Sequence, residues 1–326
     1  MKYIIYLGGI VLIPFFLYQF KQLKKCNIKQ VPIISTADSI VSGKISLGRL
    51  LFFDKRLSVN NEISCASCHL PELAFTDGRK VSVGVLGRTT QRNSPTLLNA
   101  KALPTVMFDA HLPTLEQQVI VPIQEHVEMD MNMLDLIEKL KGIDVYNKSA
   151  KKLFNREFDA WVLTRSIAAY ERSLISSNSS FDKYYYQYDE GALTESQKKG
   201  WDVFSTKLYC VKCHMPPNFT NFEAIDNGLY NDFGEDKGRF RIFNDSTDIG
   251  KFKVPSLRNI ALTAPYMHDG SLSSITEVID HYATGGKLHI NKDKRIVPFN
   301  LSKNERTDLI NFLSSLTDTS YMVEYR

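Results

Sequence analysis

The sequence lacks the compositional extremes of non-globular proteins, and its main part lacks a charge of one sign. Hydrophobic residues make up 43% and charged residues 23% of 326 positions, which excludes a disordered chain, a collagen-like chain and a low-complexity array. Lysine and arginine total 40 against 36 acidic residues, but four lysines and no acid lie in residues 1–26. The remainder therefore has 36 charges of each sign and predicts no basic surface for nucleic acid.

One long uncharged run stands at the start of the chain. Residues 3–20 contain no charged side chain, a length that suits a short membrane span better than the apolar core of a signal peptide. Lysines rather than a small-residue cleavage site follow it. We interpret residues 1–26 as an uncleaved signal anchor or transmembrane segment and residues 27–38 as a tether. A buried core helix is the alternative, and Cys26 is either a lipidation site or an ordinary cysteine.

Cysteine is scarce, yet four of the five cysteines form two copies of one motif. CASCH at residues 65–69 and CVKCH at residues 210–214 both read C-x-x-C-H, the signature of c-type haem attachment. Two thiols three positions apart reach the two vinyl groups of one haem, and the histidine that follows supplies an iron ligand. The composition predicts about 0.002 chance copies of this pattern. Two copies therefore predict two covalently bound c-type haems.

We name the predicted groups haem 1 and haem 2. The residues expected to hold them are Cys65, Cys68 and the axial ligand His69 for haem 1, and Cys210, Cys213 and the axial ligand His214 for haem 2. A zinc site with four cysteines would not require a histidine after each pair. A disulfide-redox C-x-x-C usually lies near a βαβ pattern, which the sequence does not show. Because bacteria attach haem outside the cytoplasm, the motifs predict a periplasmic protein anchored to the inner membrane by residues 3–20.

The rest of the sequence predicts a mostly α-helical fold. Capping boxes, in which a Ser or Thr precedes a Glu or Gln by three positions, stand at residues 194–197, 274–277 and 302–305, each before apolar residues at helical spacing. Residues 159–174 and 133–140 also show helical spacing. Alternating runs typical of strands are short and rare.

The spacing of the motifs predicts two cytochrome c-like domains with one haem each. Gly48-x-x-x-Phe52 precedes the first motif and Gly200-x-x-x-Phe204 precedes the second, which indicates an internal repeat. A serine-rich and tyrosine-rich stretch at residues 176–191 interrupts the helical pattern. We therefore expect an N-terminal domain at residues 39–190 and a C-terminal domain at residues 191–326.

Several segments resemble the bacterial dihaem cytochrome c peroxidases, a family that includes the MauG-type enzymes. MauG-type enzymes use peroxide to oxidise a partner protein. The resemblance extends over about residues 40–317, and the segments that carry it are residues 92–96, 108–109, 115–118, 122–129, 252–259 and 262–270. It implies reduction of hydrogen peroxide to water at haem 1. The electrons would come from a small cytochrome c or another periplasmic redox protein and pass through haem 2. A homodimer is a further expectation.

The resemblance also implies which residues act on peroxide. Glu128 matches the family's acid–base residue, which moves a proton between the two peroxide oxygens, and Gln118 matches a residue of the same pocket. His126 and His111 are competing acid–base candidates. Phe108 stands where the family commonly has a tryptophan between the haems, so it is the expected inter-haem relay.

Two positions indicate MauG-like ligation. Val85 falls where typical peroxidases have a distal histidine on haem 1, and because valine cannot ligate iron we expect haem 1 to be open in the oxidised state. Tyr282 falls where typical peroxidases have the methionine ligand of haem 2. A phenolate stabilises ferric and higher states, whereas a thioether raises the potential. A packed aromatic is the alternative for Tyr282, and His281 is a second candidate ligand.

A calcium ion between the haems is the remaining cofactor that the resemblance implies. Asn93, Thr263 and Pro265 match the positions that bind it through a side-chain oxygen and backbone carbonyls, which are suitable calcium ligands. Arg258 and His268 lie in segments expected near haem 2, where they either hydrogen-bond to haem groups or pack.

Two other functions are compatible with the sequence. One is a MauG-like peroxide-dependent oxidase of a partner protein or a small molecule. The other is a non-catalytic dihaem electron-transfer cytochrome. An open haem 1 beside Glu128 would favour an enzyme over the electron-transfer cytochrome.

Overall fold

A computed structural model describes residues 39–325 of the chain. The predicted membrane segment at residues 1–26 and the tether at residues 27–38 lie outside the described residues. Across residues 39–325, no helix is both long enough and apolar enough to cross a membrane. The prediction of a mostly α-helical chain is confirmed.

The helices are connected by long loops. In chain order, the α-helices are α1 Ser39–Phe52, α2 Cys65–Cys68, α3 Leu115–Gln118, α4 Ile120–Gln124, α5 Met133–Lys141, α6 Asp144–Phe154, α7 Ala160–Ser173, α8 Ser180–Gln187, α9 Glu195–Asp202, α10 Phe240–Phe243, α11 Ile275–Ala283 and α12 Lys303–Ser314. A π-helical turn at Val203–Lys207 continues α9. The short 3₁₀ helices are Lys55–Leu57, Pro71–Leu73, Val85–Gly87, Ala100–Ala102, Cys210–Lys212, Ser246–Asp248, Ile260–Leu262 and Ser320–Tyr325. The strands β1 Ala224–Ile225 and β2 Phe252–Lys253 pair antiparallel.

Helices α1 and α7 cross at a glycine. α1 packs against α7, and a β-carbon added to Gly48 would lie 1.8 Å from the carbonyl oxygen of Ser166 and 2.9 Å from the β-carbon of Tyr170. One turn later, the rings of Phe52 and Tyr170 meet edge to face with centroids 5.0 Å apart. Glycine thus sets how closely the two helices approach.

The second half contains the same crossing. α9 packs against α12, and a β-carbon on Gly200 would lie 1.9 Å from the carbonyl oxygen of Asp308 and 2.7 Å from the β-carbon of Phe312. The centroids of Phe204 and Phe312 are 5.0 Å apart. The repeat seen in the sequence therefore has a packing cause, since each glycine lies at the contact between its helix and a later one.

The repeat continues beyond the segment that the sequence analysis used. Asn99 and Asn259 each adopt a left-handed conformation with φ of 59° before a 3₁₀ helix. Val106 and Tyr266 each form an antiparallel bridge to a leucine six residues later. Equivalent positions are 160 residues apart in all these pairs.

Two large hydrophobic clusters form the core. One gathers buried residues between Leu47 and Leu174 together with Tyr321, and the other gathers buried residues between Phe181 and Leu316. Each includes cysteine from one haem motif, since Cys65 packs against the first cluster and Cys210 against the second.

The stretch at residues 176–191 is more regular than its composition suggests. Instead of only interrupting the helical pattern, it contains α8, which begins in a capping box formed by Ser179 and Asp182. Phe181 of α8 is fully buried in the second cluster. The domain boundary expected near residue 190 stays a prediction.

The predicted helix ends agree closely with the structure. The expected helix at residues 159–174 corresponds to α7 flanked by its capping residues Asp159 and Leu174. The capping boxes at residues 194–197 and 302–305 are both formed. At residues 274–277 only half of the box is present, because the Glu277 carboxylate accepts hydrogen bonds from Ser273.

Candidate haem sites

The first motif presents two thiols and a histidine whose ring is fixed. Cys65 and Cys68 open and close the short helix α2, and their thiols are free. The Nδ1 of His69 donates to the carbonyl oxygen of Phe75 at 2.9 Å. This bond fixes the tautomer and leaves Nε2 available for a metal, as in most histidine–metal sites. Burial lowers the pKa of His69, which favours the neutral, ligating form.

The second motif has the same arrangement. Cys210 and Cys213 lie around a 3₁₀ turn with free thiols, and the Nδ1 of His214 donates to the carbonyl oxygen of Phe219 at 3.0 Å. Phe219 and Phe75, which accepts the hydrogen bond of His69, are both fully buried, and their φ angles are positive at 52° and 59°. Burial lowers the pKa of His214 too.

The cysteine thiols of both motifs have raised pKa values and form no disulfide. Burial raises the pKa of Cys68 to about 11 and that of Cys210 to about 12. Neither motif forms a disulfide, and no cluster of three or more His, Cys, Asp or Glu residues that could hold a metal ion occurs among the described residues. Paired free thiols followed by a neutral, oriented imidazole fit a covalently attached haem at each motif.

A carboxylate and a buried valine stand beside the first motif. The backbone N–H of Val85 donates to the carbonyl oxygen of Glu128 at 2.9 Å, and Val85 is fully buried. A β-carbon on Gly84 would lie 2.1 Å from the carbonyl oxygen of Val127, so the two segments are in close contact.

The charge of Glu128 acts on the attachment cysteines. Burial, with a smaller contribution from the charge of Glu125, raises the pKa of Glu128 to about 7. Burial is the main cause that raises the pKa of Cys65 and Cys68, and the charge of Glu128 adds a smaller contribution to both. Gln118 is half-buried at the end of α3. A carboxyl group that titrates near neutral pH is suited to accept and return a proton.

Tyr282 of α11 faces the second motif. Its phenol oxygen lies 3.4 Å from the Nδ2 of Asn227, which also lies 3.4 Å from the sulfur of Met267. Burial raises the pKa of Tyr282, with smaller contributions from Cys210 and Cys213.

The neighbouring histidine points to a backbone group instead. The Nε2 of His281 is 3.1 Å from the carbonyl oxygen of Asn227. Burial lowers the pKa of His281. Because its Nε2 is engaged by a carbonyl, we prefer Tyr282 as the ligand candidate.

Comparison with known proteins agrees with these two sites. Residues 42–190 match the family model of the di-haem cytochrome c peroxidases. The methylamine utilization protein MauG of Methylorubrum extorquens is 35% identical over 284 residues, covering 86% of this chain and 80% of that protein. The cytochrome c551 peroxidase of Nitrosomonas europaea is 32% identical and covers 83% and 79% of the two chains. The chain belongs to the dihaem cytochrome c peroxidase family.

A solved structure supports the same assignment. The crystal structure of a MauG-like protein associated with microbial copper homeostasis matches with a TM-score of 0.79 and 34% identity, covering 86% of this chain and 91% of that one. The fold is thus the MauG-like dihaem fold. Membership of this family makes the chain a c-type haem oxidoreductase with two haems.

The two competing histidines have different surroundings from Glu128 in this dihaem peroxidase. His126 has an exposed side chain, and its Nδ1 is 3.2 Å from Asp130. The Nδ1 of His111 is buried and has no hydrogen-bond partner in the described structure. Burial lowers the pKa of His111, and the charges that act on it come from Asp109 and from Arg92, Arg239 and Arg241.

Two of the predicted calcium and relay residues, Asn93 and Phe108, contact the second half of the chain. The backbone N–H of Asn93 donates to the carbonyl oxygen of His268 at 2.8 Å, and its Nδ2 donates to the carbonyl oxygen of Arg79 at 2.7 Å. The Phe108 carbonyl accepts from the N–H of Lys253 at 2.7 Å. Thr263 and Pro265 follow the 3₁₀ helix Ile260–Leu262.

Arg258 has a structural role. Its guanidinium donates twice to the buried Asp182 at 2.8 Å and once to the carbonyl oxygen of Pro217 at 2.7 Å. His268 stacks on Phe252 with ring centroids 3.7 Å apart. Hydrogen bonding of either residue to haem groups stays a prediction.

Glu171 is a buried carboxyl group near the first motif that the sequence did not single out. It is buried on α7, its Oε2 has no partner within residues 39–325, and burial raises its pKa to about 8. Its charge is also the largest one acting on Cys65. The sequence does indicate that Glu171 is buried, because it lies four residues after Ile167 and three before Leu174 on the apolar face of the helix.

Proposed function

We propose that this dihaem peroxidase reduces hydrogen peroxide to two waters at haem 1. The reaction consumes two protons and two electrons, and the electrons enter through haem 2. When bound, the haems supply the electrons and the open iron coordination site that O–O cleavage needs. The single observation that carries the proposal is the pairing of Val85 with Glu128 beside Cys65 and Cys68.

Glu128 has the proton-transfer role in this proposal. Its carboxylate accepts the proton from one peroxide oxygen and returns it to the other, so that the departing oxygen leaves as water. Gln118 orients peroxide through its amide. Cys65, Cys68 and His69 hold haem 1. Phe108 is the relay between the haems.

Electron entry is assigned to the second half. Cys210, Cys213 and His214 would hold haem 2, and Tyr282 would supply a further ligand to its iron. The electron donor is a small cytochrome c or another periplasmic redox protein. Steady-state consumption of hydrogen peroxide by the holoprotein, with a reduced cytochrome c as donor, tests the function. We expect two donor molecules oxidised per peroxide consumed, and an absence of turnover would contradict the proposal.

The state of haem 1 can be tested by restoring a histidine. We expect the fully oxidised wild type to react with peroxide without prior reduction. Val85→His should lower the rate of the oxidised protein by about tenfold or more, because an imidazole there would restrict access to the iron. Stopped-flow mixing with hydrogen peroxide measures both rates.

The neighbouring residue provides the control for this substitution. Leu86 is 67% exposed, so Leu86→His adds the same group outside the pocket and should leave the rate unchanged. Equal rates for Val85→His and the wild type would show that residue 85 does not face the iron.

The assignment of Tyr282 predicts a change of potential. Tyr282→Met should raise the midpoint potential of haem 2 by about 100 mV or more, because a thioether replaces a phenolate. His281→Gln should leave both the potential and the spectrum unchanged. Spectroelectrochemical titration distinguishes the two, and a shift confined to His281→Gln would reassign the ligand.

A MauG-like oxidation of a partner protein or small molecule is the second candidate function. The placement of Tyr282 near Cys210 and Cys213 favours it, because a phenolate ligand stabilises oxidising states of iron. Exhaustive reaction with peroxide in the presence of a partner, followed by mass spectrometry of that partner, separates this function from simple peroxide removal.

The remaining assignments complete the proposal. Asn93, Thr263 and Pro265 bind one calcium ion between the haems. Residues 39–190 and 191–326 form two cytochrome c-like domains. The protein is periplasmic, anchored to the inner membrane by residues 3–20, and forms a homodimer. Sedimentation of the full chain, with and without a calcium chelator, tests the assembly and its dependence on calcium.

A further inference from the structure

The loop between α11 and α12, residues 284–302, is held firmly at its centre. The Nδ1 of His289 is 2.5 Å from the carboxylate of Asp226, which is fully buried. On either side, the N–H of Lys287 donates to Gly228 at 2.7 Å and the N–H of Asp293 donates to Asp226 at 2.9 Å. The loop therefore has a fixed position on the segment at residues 226–228.

This anchored loop exposes two large apolar side chains. Leu288 is 84% exposed and Ile290 is 93% exposed, and they flank the anchoring His289. Val297 of the same loop is 60% exposed. Apolar side chains held in solvent by a fixed backbone contribute nothing to the core, and clusters of such side chains mark interaction surfaces.

The charge around these side chains is positive. None of Lys287, Lys292 and Lys294 forms an ion pair within the described part of the chain. The Nζ of Lys287 lies over the ring of Tyr230, and the Nζ of Lys292 donates to the carbonyl oxygen of Gly285. The charge of Lys292 also acts on the buried Asp226. Residues 284–302 contain four basic residues, Lys287, Lys292, Lys294 and Arg295, against the single acid Asp293, so the loop is positive although the chain after residue 26 is balanced as a whole.

The loop also borders the second haem motif. The charges of Arg295 and Asp293 both act on the thiol of Cys213. Asn227, within the segment that anchors the loop, contacts the phenol of Tyr282. A protein bound to this loop would therefore lie next to the site assigned to electron entry.

We propose that Leu288, Ile290 and the surrounding lysines form the docking site for an acidic electron-transfer protein. This inference rests on the proposed function, since it identifies the class of donor. An apolar centre within a positive rim is complementary to a partner with exposed apolar residues and acidic groups around its redox centre. A second copy of this chain is disfavoured, because the same lysines would face one another.

The test compares three electron donors in steady-state peroxide reduction by the holoprotein. The donors are an acidic small cytochrome c, a basic small cytochrome c and the neutral molecule hydroquinone. We expect Ile290→Asp and Lys294→Glu each to raise KM for the acidic cytochrome by about tenfold, with hydroquinone turnover unchanged. Raising the ionic strength should raise the wild-type KM for the acidic cytochrome only.

Matched variants in the first half provide the controls. Leu134 is 76% exposed on α5, and Lys152 is exposed on α6 without an ion pair among residues 39–325. Leu134→Asp and Lys152→Glu should leave KM for the acidic cytochrome unchanged. An unchanged KM in Ile290→Asp, or an equal rise with the basic cytochrome, would overturn the docking site. A wild type that turns over peroxide with none of the donors would instead contradict the proposed function.

Discussion

Glu128→Gln is expected to lower kcat/KM for hydrogen peroxide by about 10² to 10⁴-fold, the usual contribution of a general acid–base residue. Glutamine preserves the size and hydrogen-bonding shape of the side chain but cannot take a proton from peroxide. The two haems should remain attached, because Glu128 forms no bond to the cysteine motifs. Stopped-flow reaction of the oxidised holoprotein with peroxide measures the loss.

The pH dependence adds a second result for the same variant. Because burial raises the pKa of Glu128 to about 7, the proton-accepting carboxylate is formed above this pH and lost below it. The wild-type rate should therefore fall about tenfold for each pH unit below the pKa, and the Glu128→Gln rate should be independent of this ionisation.

Glu125 provides the control for Glu128. It is exposed, and its charge helps to raise the pKa of Glu128. Glu125→Gln should preserve the maximal rate and move the pH profile slightly to lower pH. If Glu128→Gln retains the wild-type rate and profile, Glu128 is not the proton-transfer residue.

Gly48→Ala and Gly200→Ala should each lower the free energy of unfolding by about 3 kcal/mol, the upper part of the usual range for overpacking. The added methyl groups would lie 1.8 and 1.9 Å from carbonyl oxygens of α7 and α12, respectively, so each helix pair would have to separate. Urea denaturation of the holoprotein, followed by circular dichroism, measures the effect.

Gly142→Ala is the matched control, because nothing lies within 4 Å of the position that its β-carbon would occupy. It should be neutral or slightly stabilising, since alanine has less freedom than glycine in the unfolded chain. If Gly48→Ala also stabilised the protein, as helix propensity alone predicts, α1 would not be packed closely on α7.

The haem motifs and the helices could be predicted from sequence because local rules determine both. Attachment chemistry fixes the order of two cysteines and one histidine, and hydrogen bonds within one turn fix the capping residues. The sequence did not predict helix α8, although the start of this helix also follows a local rule. Its capping box has Asp182 at the third position in place of the usual Glu or Gln.

The partners of the haem histidines were beyond local rules. The carbonyl groups of Phe75 and Phe219 reach the two imidazoles because both phenylalanines adopt left-handed conformations. Residues other than glycine rarely adopt that backbone conformation, so surrounding contacts must stabilise it here. Burial of both rings supplies those contacts, and burial is a property of the whole fold.

The contact between His289 and Asp226 was also not predictable from the sequence, because it is a long-range pairing. Its partner Asp226 is 63 positions away, and no local pattern joins them. Glu171 was more accessible to prediction, because a carboxylate on an apolar helical face is visible in the sequence. The internal repeat at an offset of 160 residues was visible as well, in residues 94–99 and 254–259, SPTLLN and VPSLRN.

The most direct test of an open haem 1 beside Glu128 is titration of the fully oxidised holoprotein with hydrogen peroxide, followed by electron paramagnetic resonance. Before peroxide is added, we expect one high-spin and one low-spin ferric signal. One equivalent of peroxide should abolish the high-spin signal without prior reduction. Two low-spin signals that do not change on addition of peroxide would contradict the peroxidase function and indicate an electron-transfer cytochrome.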